Sequence, residues 1–363
     1  LLQSKGITQD RSVVVYGYTC YESADFVTRL SDLGYEEVLA YEASLAEWAA
    51  DLNLPMSRLA NYEKLVHPEW LHRLIDGQRA ETYPGKGFAI FHVNSGVPEE
   101  YVRGHIPGAM DLDTNTLEST STWNRLCDED LETALLGHSI TYDKMIVLYG
   151  RDSVSNADEA HPARNAGQIA ATRAAAILMY AGVEDVRLLD GGFDAWVSAG
   201  YAVEEAEHKP IPAQAFGARI PGHPDYIIDI QEAKALIVNP EGVLVSIRSW
   251  PEFIGQTSGY HCIERKGRIA GAVWGKAGSD AYHMQHYRNV DNTMRDYHEI
   301  EAKWRESGIT PDKRVAFYCG TGWRASEAFF YAYLMGWEKV AVYDGGWLEW
   351  SRDEANPIES GEP

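Results

Sequence analysis

RVAFYCGTGWRASEAFFYAYLMGWEKVAVYDGGWLEW, residues 314–350, reads as one complete structural unit. A short apolar run, Val315 to Tyr318, leads into a glycine-bearing loop, Cys319 to Arg324. A helical stretch from about Ala325 to Met335 follows, then a second apolar run ending at Tyr343 and an Asp-Gly-Gly turn with aromatic residues. Strand, loop, helix, strand is the βαβ signature of a parallel sheet, so the expected fold class is α/β. The same unit is written again nearer the N-terminus. SVVVYGYTCYESADFVTRLSDLGYEEVLAYEASLAEW (12–48) aligns without a gap, placing Tyr16 on Tyr318, Gly34 on Gly336 and Trp48 on Trp350. A middle copy starts at Met145 and ends in the turn 190–196, with an acidic, Asn- and Ala-rich insert after Gly150 that reads as a surface loop.

Working outward, the second and third copies are each preceded by a matching front half. One contains VHPEWLHRLIDG, FAIFHV and EEYVRGHIPGAMDLD; the other contains EAKALI, VLVSIR, PEFIGQ and GRIAGAVWG. The first copy has no such front. The expected organisation is therefore the rear half of a domain over 1–60, a complete domain with a loop insertion over 61–207, a Pro- and Gly-rich linker over 208–224 and a second complete domain over 225–355.

A chain of 363 residues is long enough for several cores. Its 45% hydrophobic and 24% charged content is that of a folded globular protein. Lys and Arg number 32 against 54 Asp and Glu, a net charge of −22. A field of that sign repels phosphate backbones and anionic headgroups, so nucleic acid and membrane surfaces are poor partners. No apolar run approaches the ~20 residues of a spanning helix. The cysteines Cys20, Cys127, Cys262 and Cys319 form no CxxC pair and read as individual thiols.

Of the three equivalent loops, only the last opens with a nucleophile: Cys319 stands where the others have Gly17 and Gly150. The first two copies are therefore expected to be non-catalytic. Cys319 ends a strand and opens the loop Gly320, Thr321, Gly322, Trp323, Arg324 at the head of a helix, where backbone N–H groups converge and favour an anion. That setting favours the nucleophilic thiolate, with Arg324 adding positive charge. The bland alternative is a buried structural cysteine. His283 and His286 with Cys262 would suggest a metal, but histidines three apart without further clustered ligands are more often surface groups, and no metal is expected. Cys20 falls inside its own copy's loop but away from the nucleophile's place.

The C-x-x-G-x-R loop at Cys319, the GHIPGA (104–109) and GRIAGA (267–272) segments and the DGG-x-x-x-W turns (190–196, 344–350) resemble the rhodanese superfamily of sulfurtransferases over almost the whole chain. The resemblance implies tandem rhodanese-like domains, each a parallel sheet flanked by helices. It is nearest the three-domain bacterial arrangement in which only the last domain is catalytic. The loop closes as C-x4-R, whereas the related phosphatases carry C-x5-R, which argues against phosphate as substrate.

Carried onto this chain, the resemblance makes Cys319 the persulfide-forming cysteine and Arg324 the residue that binds the sulfonate of thiosulfate, with Gly320, Thr321, Gly322 and Trp323 forming the cradle. Arg248 matches the arginine of the family's D-x-R strand end, although Ser246 stands where the family has Asp. In two-domain relatives the preceding inactive domain supplies acidic groups to the cleft, and Asp113 lies in that region, while Asn115 departs from the mercaptopyruvate enzymes. CG[ST]G resembles their branch; Trp323 and Arg324 do not.

The activity implied is transfer of the sulfane sulfur of thiosulfate to cyanide or a thiol, with no metal or organic cofactor. The alternatives are a protein sulfur-relay or interaction module and a 3-mercaptopyruvate sulfurtransferase. The partners are a small-molecule sulfur donor and acceptor, with a protein donor or acceptor as a further possibility. A start at Leu1 without methionine is compatible with a removed signal, and the resemblance implies the periplasm, with the cytoplasm as the alternative.

Overall fold

The computed structural model describes residues 2, 7–17, 20–51, 53–151 and 167–363. The acidic insert after Gly150 lies outside the described residues. Two compact units are formed, residues 1–58 and 59–363.

The first unit is a single βαβ element. Strand β1 (Val13–Val15) pairs in parallel with β2 (Val38–Ala40), joined by α1 (Cys20–Asp32) and followed by α2 (Ser44–Ala50). Leu30 and Tyr35 are buried, and the Tyr35 hydroxyl donates to the Ile7 carbonyl at 2.9 Å. Cys20 is the first residue of α1.

The second unit holds two complete α/β domains built alike. The first comprises β3 (Leu65–Val66), α3 (Pro68–Ile75), β4 (Phe88–Asn94), α4 (Pro98–Val102), β5 (Met110–Asp113), α5 (Asp128–Gly137), β6 (Met145–Tyr149), α6 (Gly167–Ala181), β7 (Val186–Leu189) and α7 (Gly192–Ser198). The next comprises β8 (Ile227–Ile228), α8 (Ile230–Val238), β9 (Gly242–Ser246), α9 (Trp250–Phe253), β10 (Arg268–Ile269), β11 (Val273–Trp274), α10 (Tyr297–Glu306), β12 (Arg314–Tyr318), α11 (Trp323–Leu334), β13 (Val340–Tyr343), α12 (Gly346–Arg352) and β14 (Ile358–Glu359). Each sheet is parallel and five-stranded, ordered β3-β7-β6-β4-β5 in one and β8-β13-β12-β9-β11 in the other. The two orders correspond strand for strand. β14 pairs antiparallel with β10, carrying the last domain to Glu359, past the residue 355 expected from sequence.

The central strands β6 and β12 read as continuous apolar runs because both faces of a parallel sheet are covered by helices. MIVLY of β6 is buried throughout, as are Val315 to Tyr318 of β12. Helix α6, GQIAATRAAAILMYA, is buried along its whole length and packs against α11, so one core cluster runs from Ile169 and Ile177 through to Phe329 and Leu334. A helix buried on all sides needs partners all round: α6 packs on β4, β6 and β7 of its own sheet and on α11, and α11 on β12 and β13 and on α6. The expected linker is no free tether: Phe216 is buried and its carbonyl accepts from the Tyr142 amide at 3.0 Å.

Candidate active site

Cys319 follows β12 directly and is fully buried. Its carbonyl accepts from the Trp347 amide at 2.8 Å, and that of Gly320 from the Leu348 amide at 2.9 Å. The first turn of α12 thus ties down the loop, which explains the Asp-Gly-Gly sequence before it. Gly346 has φ +54°, and a Cβ there would stand 2.8 Å from the carbonyl oxygens of both Cys319 and Gly320. Gly320 is demanded for another reason: a Cβ would lie 2.2 Å from the Tyr260 ring. Helix α11 begins at Trp323, two residues earlier than the sequence suggests, so its first-turn amides stand at the loop itself. Thr321 and Trp323 are nearly buried beside them.

The arginines are placed differently from expectation. Arg324, buried at the loop's close, directs both terminal nitrogens at Glu252: Nη1 donates to Oε2 and Nη2 to Oε1, each at 3.0 Å. Nη1 also donates to the Asp280 carbonyl at 2.8 Å and Nη2 to the Tyr260 hydroxyl at 3.0 Å. Only its Nε has no hydrogen-bond partner. Arg248 donates to the same carboxylate at 3.2 Å and to the carbonyls of Gly267 and Ser258 at 2.7 and 2.9 Å. The Arg248 fork is thus spent on structural acceptors, the arrangement of a structural ion pair, which is the alternative to a substrate ligand at this position. Arg324, expected to bind the anionic end of the substrate, likewise has both terminal nitrogens on protein acceptors.

Glu252 is the hub, since the Ser249 amide and hydroxyl also donate to it, at 2.9 and 2.8 Å. Burial alone would push its carboxyl up; the Arg324 and Arg248 guanidiniums outweigh burial and hold it at about 2. Burial pushes the Tyr260 phenol far up, against the pull of Arg324, so it stays a hydroxyl.

An acidic group from the preceding domain does reach the loop, but it is Glu118 rather than Asp113. Asp113 Oδ1 accepts from the amides of Gly96 and Asn115 at 2.9 and 3.0 Å, within its own domain. Glu118, fully buried, accepts the Trp323 indole N–H at 3.0 and 3.1 Å and Arg173 Nε at 2.9 Å. Burial raises the Glu118 carboxyl to about 7 despite Arg173. Arg173 also pairs with Asp344 of the Asp-Gly-Gly turn at 2.7 Å.

The other candidates stand apart. Cys127 and Cys262 are exposed free thiols. His283 pairs with Asp280 at 2.7 Å, while His286 faces the Lys276 carbonyl at 2.8 Å. His105, Glu204 and His208 bring potential metal-ligating atoms within 4.8 Å of one another. However, His105 directs its two ring nitrogens at the carbonyls of Tyr101 and Ala206. In the last domain Arg268 occupies the same place, donating to the carbonyls of Phe253 and Gly361 and to Glu359.

Sequence reasoning missed Glu252, Tyr260, Glu118, Arg173 and Asp344. The Arg248–Glu252 spacing, one helical turn apart, was a usable signal; Tyr260 sits in a segment between PEFIGQ and GRIAGA that has no counterpart in the preceding domain.

The rhodanese-like domain family is matched twice, over residues 67–199 and 229–353. The chain is 43% identical to the thiosulfate sulfurtransferase YnjE of Escherichia coli (strain K12), over 99% of this chain and 78% of that protein. It is 29% identical to the sulfur carrier protein TtuD of Thermus thermophilus, over 72% of this chain and 87% of that one. Among solved structures it is similar over 100% of its length to EanB. One EanB variant is bound to hercynine (TM-score 0.94, 47% identity, 84% of that chain covered). Another carries a cysteine persulfide in a tetrahedral intermediate state with ergothioneine (TM-score 0.93, 47% identity, 86% covered). By these matches the chain is a sulfurtransferase and belongs to the rhodanese-like family.

Proposed function

We propose that the protein takes the sulfane sulfur of thiosulfate onto Cys319 and passes it to a thiophilic acceptor, cyanide or a thiol. The Cys319 thiolate attacks the outer sulfur of thiosulfate; the S–S bond breaks, sulfite leaves with the electron pair and a persulfide remains. The acceptor then attacks the terminal sulfur, and Cys319 leaves as thiolate. The observation that carries this reading is the placement of Cys319: buried at a strand end, with the loop carbonyls tied back by α12 and the head of α11 beside it. With the terminal nitrogens of Arg324 committed to Glu252, the sulfonate is met by loop amides, the Arg324 Nε and the Tyr260 hydroxyl.

A second reading concerns the acceptor. The EanB structures hold hercynine and ergothioneine, and here an aromatic ring, Tyr260, lies against the sulfur-carrying loop with Tyr282 6.2 Å from it. The quaternary ammonium of hercynine would find both a π face and an acidic protein there. In that reaction the terminal sulfur replaces hydrogen on the imidazole carbon, the proton departs and Cys319 is released as thiol.

The test loads the protein with thiosulfate, confirms the persulfide by mass and divides it between cyanide, a thiol and hercynine. Thiocyanate or a new persulfide supports the first reading, and sulfurated imidazole the second. A loaded protein that reacts with none of them but passes sulfur to a protein acceptor would replace both with a relay role.

A further inference from the structure

The two complete domains meet around α6 and α11 with mirror-related contacts that match except in one respect. In each, the aspartate of the Asp-Gly-Gly turn accepts a backbone amide from the other domain: Asp344 from Arg125 at 2.8 Å, and Asp190 from Met294 at 2.8 Å. In each, a buried ion pair lies behind that contact. The earlier domain pairs Glu118 with Arg173 at 2.9 Å; the later one pairs Arg288 with Glu327 at 2.8 Å. Residues 118 and 288 are equivalent, since Ser119 and Asn289 close like turns with the carbonyls of Asn124 and Thr293. Residues 173 and 327 are equivalent in α6 and α11, each nine residues before the matching glycines Gly182 and Gly336. The polarity of the pair is therefore reversed between the two copies.

Reversal is neutral for burying charge, because either order compensates both groups. It differs in what is presented across the domain boundary. A carboxylate at 118 offers an acceptor, and Trp323, a member of the sulfur-carrying loop, donates its indole N–H to it. On the mirror side the residue equivalent to Trp323 is Ile169, which has nothing to donate. An arginine at 118, the mirror polarity, would set donor against donor.

We infer that Glu118, oriented by Arg173, is a positioning residue of the non-catalytic domain that fixes the sulfur-carrying loop through Trp323. Trp323 opens α11 four residues after Cys319, and Arg173 meets Asp344, which heads the turn whose amides hold the Cys319 and Gly320 carbonyls. The non-catalytic domain thus grips the loop at both of its supports. This inference rests on the reading that Cys319 carries the transferred sulfur.

The test uses the full chain. Glu118→Gln, compared at pH 8 where the Glu118 carboxyl is ionised, keeps shape and removes the charge; Trp323→Phe keeps the ring and removes the donor; Glu327→Gln makes the same change to the equivalent pair, whose carboxylate accepts from Arg288. Thermal stability, the single-turnover rate of persulfide formation on Cys319 and the kcat and KM for thiosulfate are measured on each. Both loop-side variants should lose about tenfold or more in persulfide formation, with the loss in kcat rather than KM, because a small misplacement of reacting atoms is costly. The double variant should lose no more than the worse single one, since the two residues act through one contact. Glu327→Gln should lose stability without that kinetic loss. Equal kinetic losses in Glu118→Gln and Glu327→Gln, additive losses in the double variant, or unchanged kinetics in Trp323→Phe would overturn the inference. If wild-type Cys319 takes up no sulfur, the parent reading fails instead, and the two failures are told apart.

Discussion

Replacing Glu252 with glutamine probes the hub of the site with almost no change of shape. Its carboxylate lies between the guanidiniums of Arg324 and Arg248, fully buried, and is held at about 2 against an ordinary 4.5. That depression corresponds to about 3 kcal/mol favouring the folded, ionised state. From the other direction, removing the one anion from a buried cluster leaves two guanidiniums without a counter-charge, which costs about 3–5 kcal/mol. The two routes agree. Because the folded value is depressed, the contribution is present above about pH 4.5 and is lost as pH falls toward 2. Glu252→Gln should therefore lower the thermal midpoint at pH 7 by on the order of 10 °C. Wild type should converge on the variant as both are taken from pH 5 toward pH 2. Thermal unfolding followed by circular dichroism across that range reads both effects. A variant within about 1 kcal/mol of wild type at pH 7, or two acid profiles that run parallel, would refute the reasoning.

Gly320→Ala forces a methyl group to within 2.2 Å of the Tyr260 ring and should destabilise by about 1–3 kcal/mol; adding Tyr260→Ala should make the pair less harmful than the sum of the singles in a double-mutant cycle. Burial raises the Asp190 carboxyl from 3.8 to about 7, so its favourable share of stability is present below about pH 4 and is lost as pH rises through 7. Asp190→Asn should be more stable than wild type at pH 8, by up to about 4 kcal/mol, and equal to it near pH 4; curves that stay parallel between those values would count against this. Cys319→Ser should abolish sulfur transfer and leave the thermal midpoint within about 1 kcal/mol of wild type, since the hydroxyl fills the same buried space but is a far weaker nucleophile.

What could be read from the sequence was what is local. Residues 314–350 display their strand, loop and helix because each element's pattern lies within a few consecutive residues, and the repeat makes the pattern visible three times. Cys319 was legible for the same reason: it is the one nucleophile among three aligned loop starts. The partners of the loop were not. Glu252 meets Arg324 across 72 residues and Glu118 meets Trp323 across 205. No periodicity reports such pairings, because they arise only when the chain closes on itself. That is why Arg324 reads in sequence as a free cation and in the structure is paired with Glu252, a carboxylate it shares with Arg248. Asp113 lies just past GHIPGA, yet its side chain turns back to cap its own loop, and the acid that crosses to the other domain sits five residues later.

The most direct test of the account is the intact mass of the full chain before and after incubation with thiosulfate, followed by peptide mapping. The account predicts a gain of one sulfur atom, confined to the peptide bearing Cys319, removed by cyanide and absent in Cys319→Ser. No gain of mass, or a sulfur found on Cys20, Cys127 or Cys262 while Cys319 stays unmodified, would contradict it.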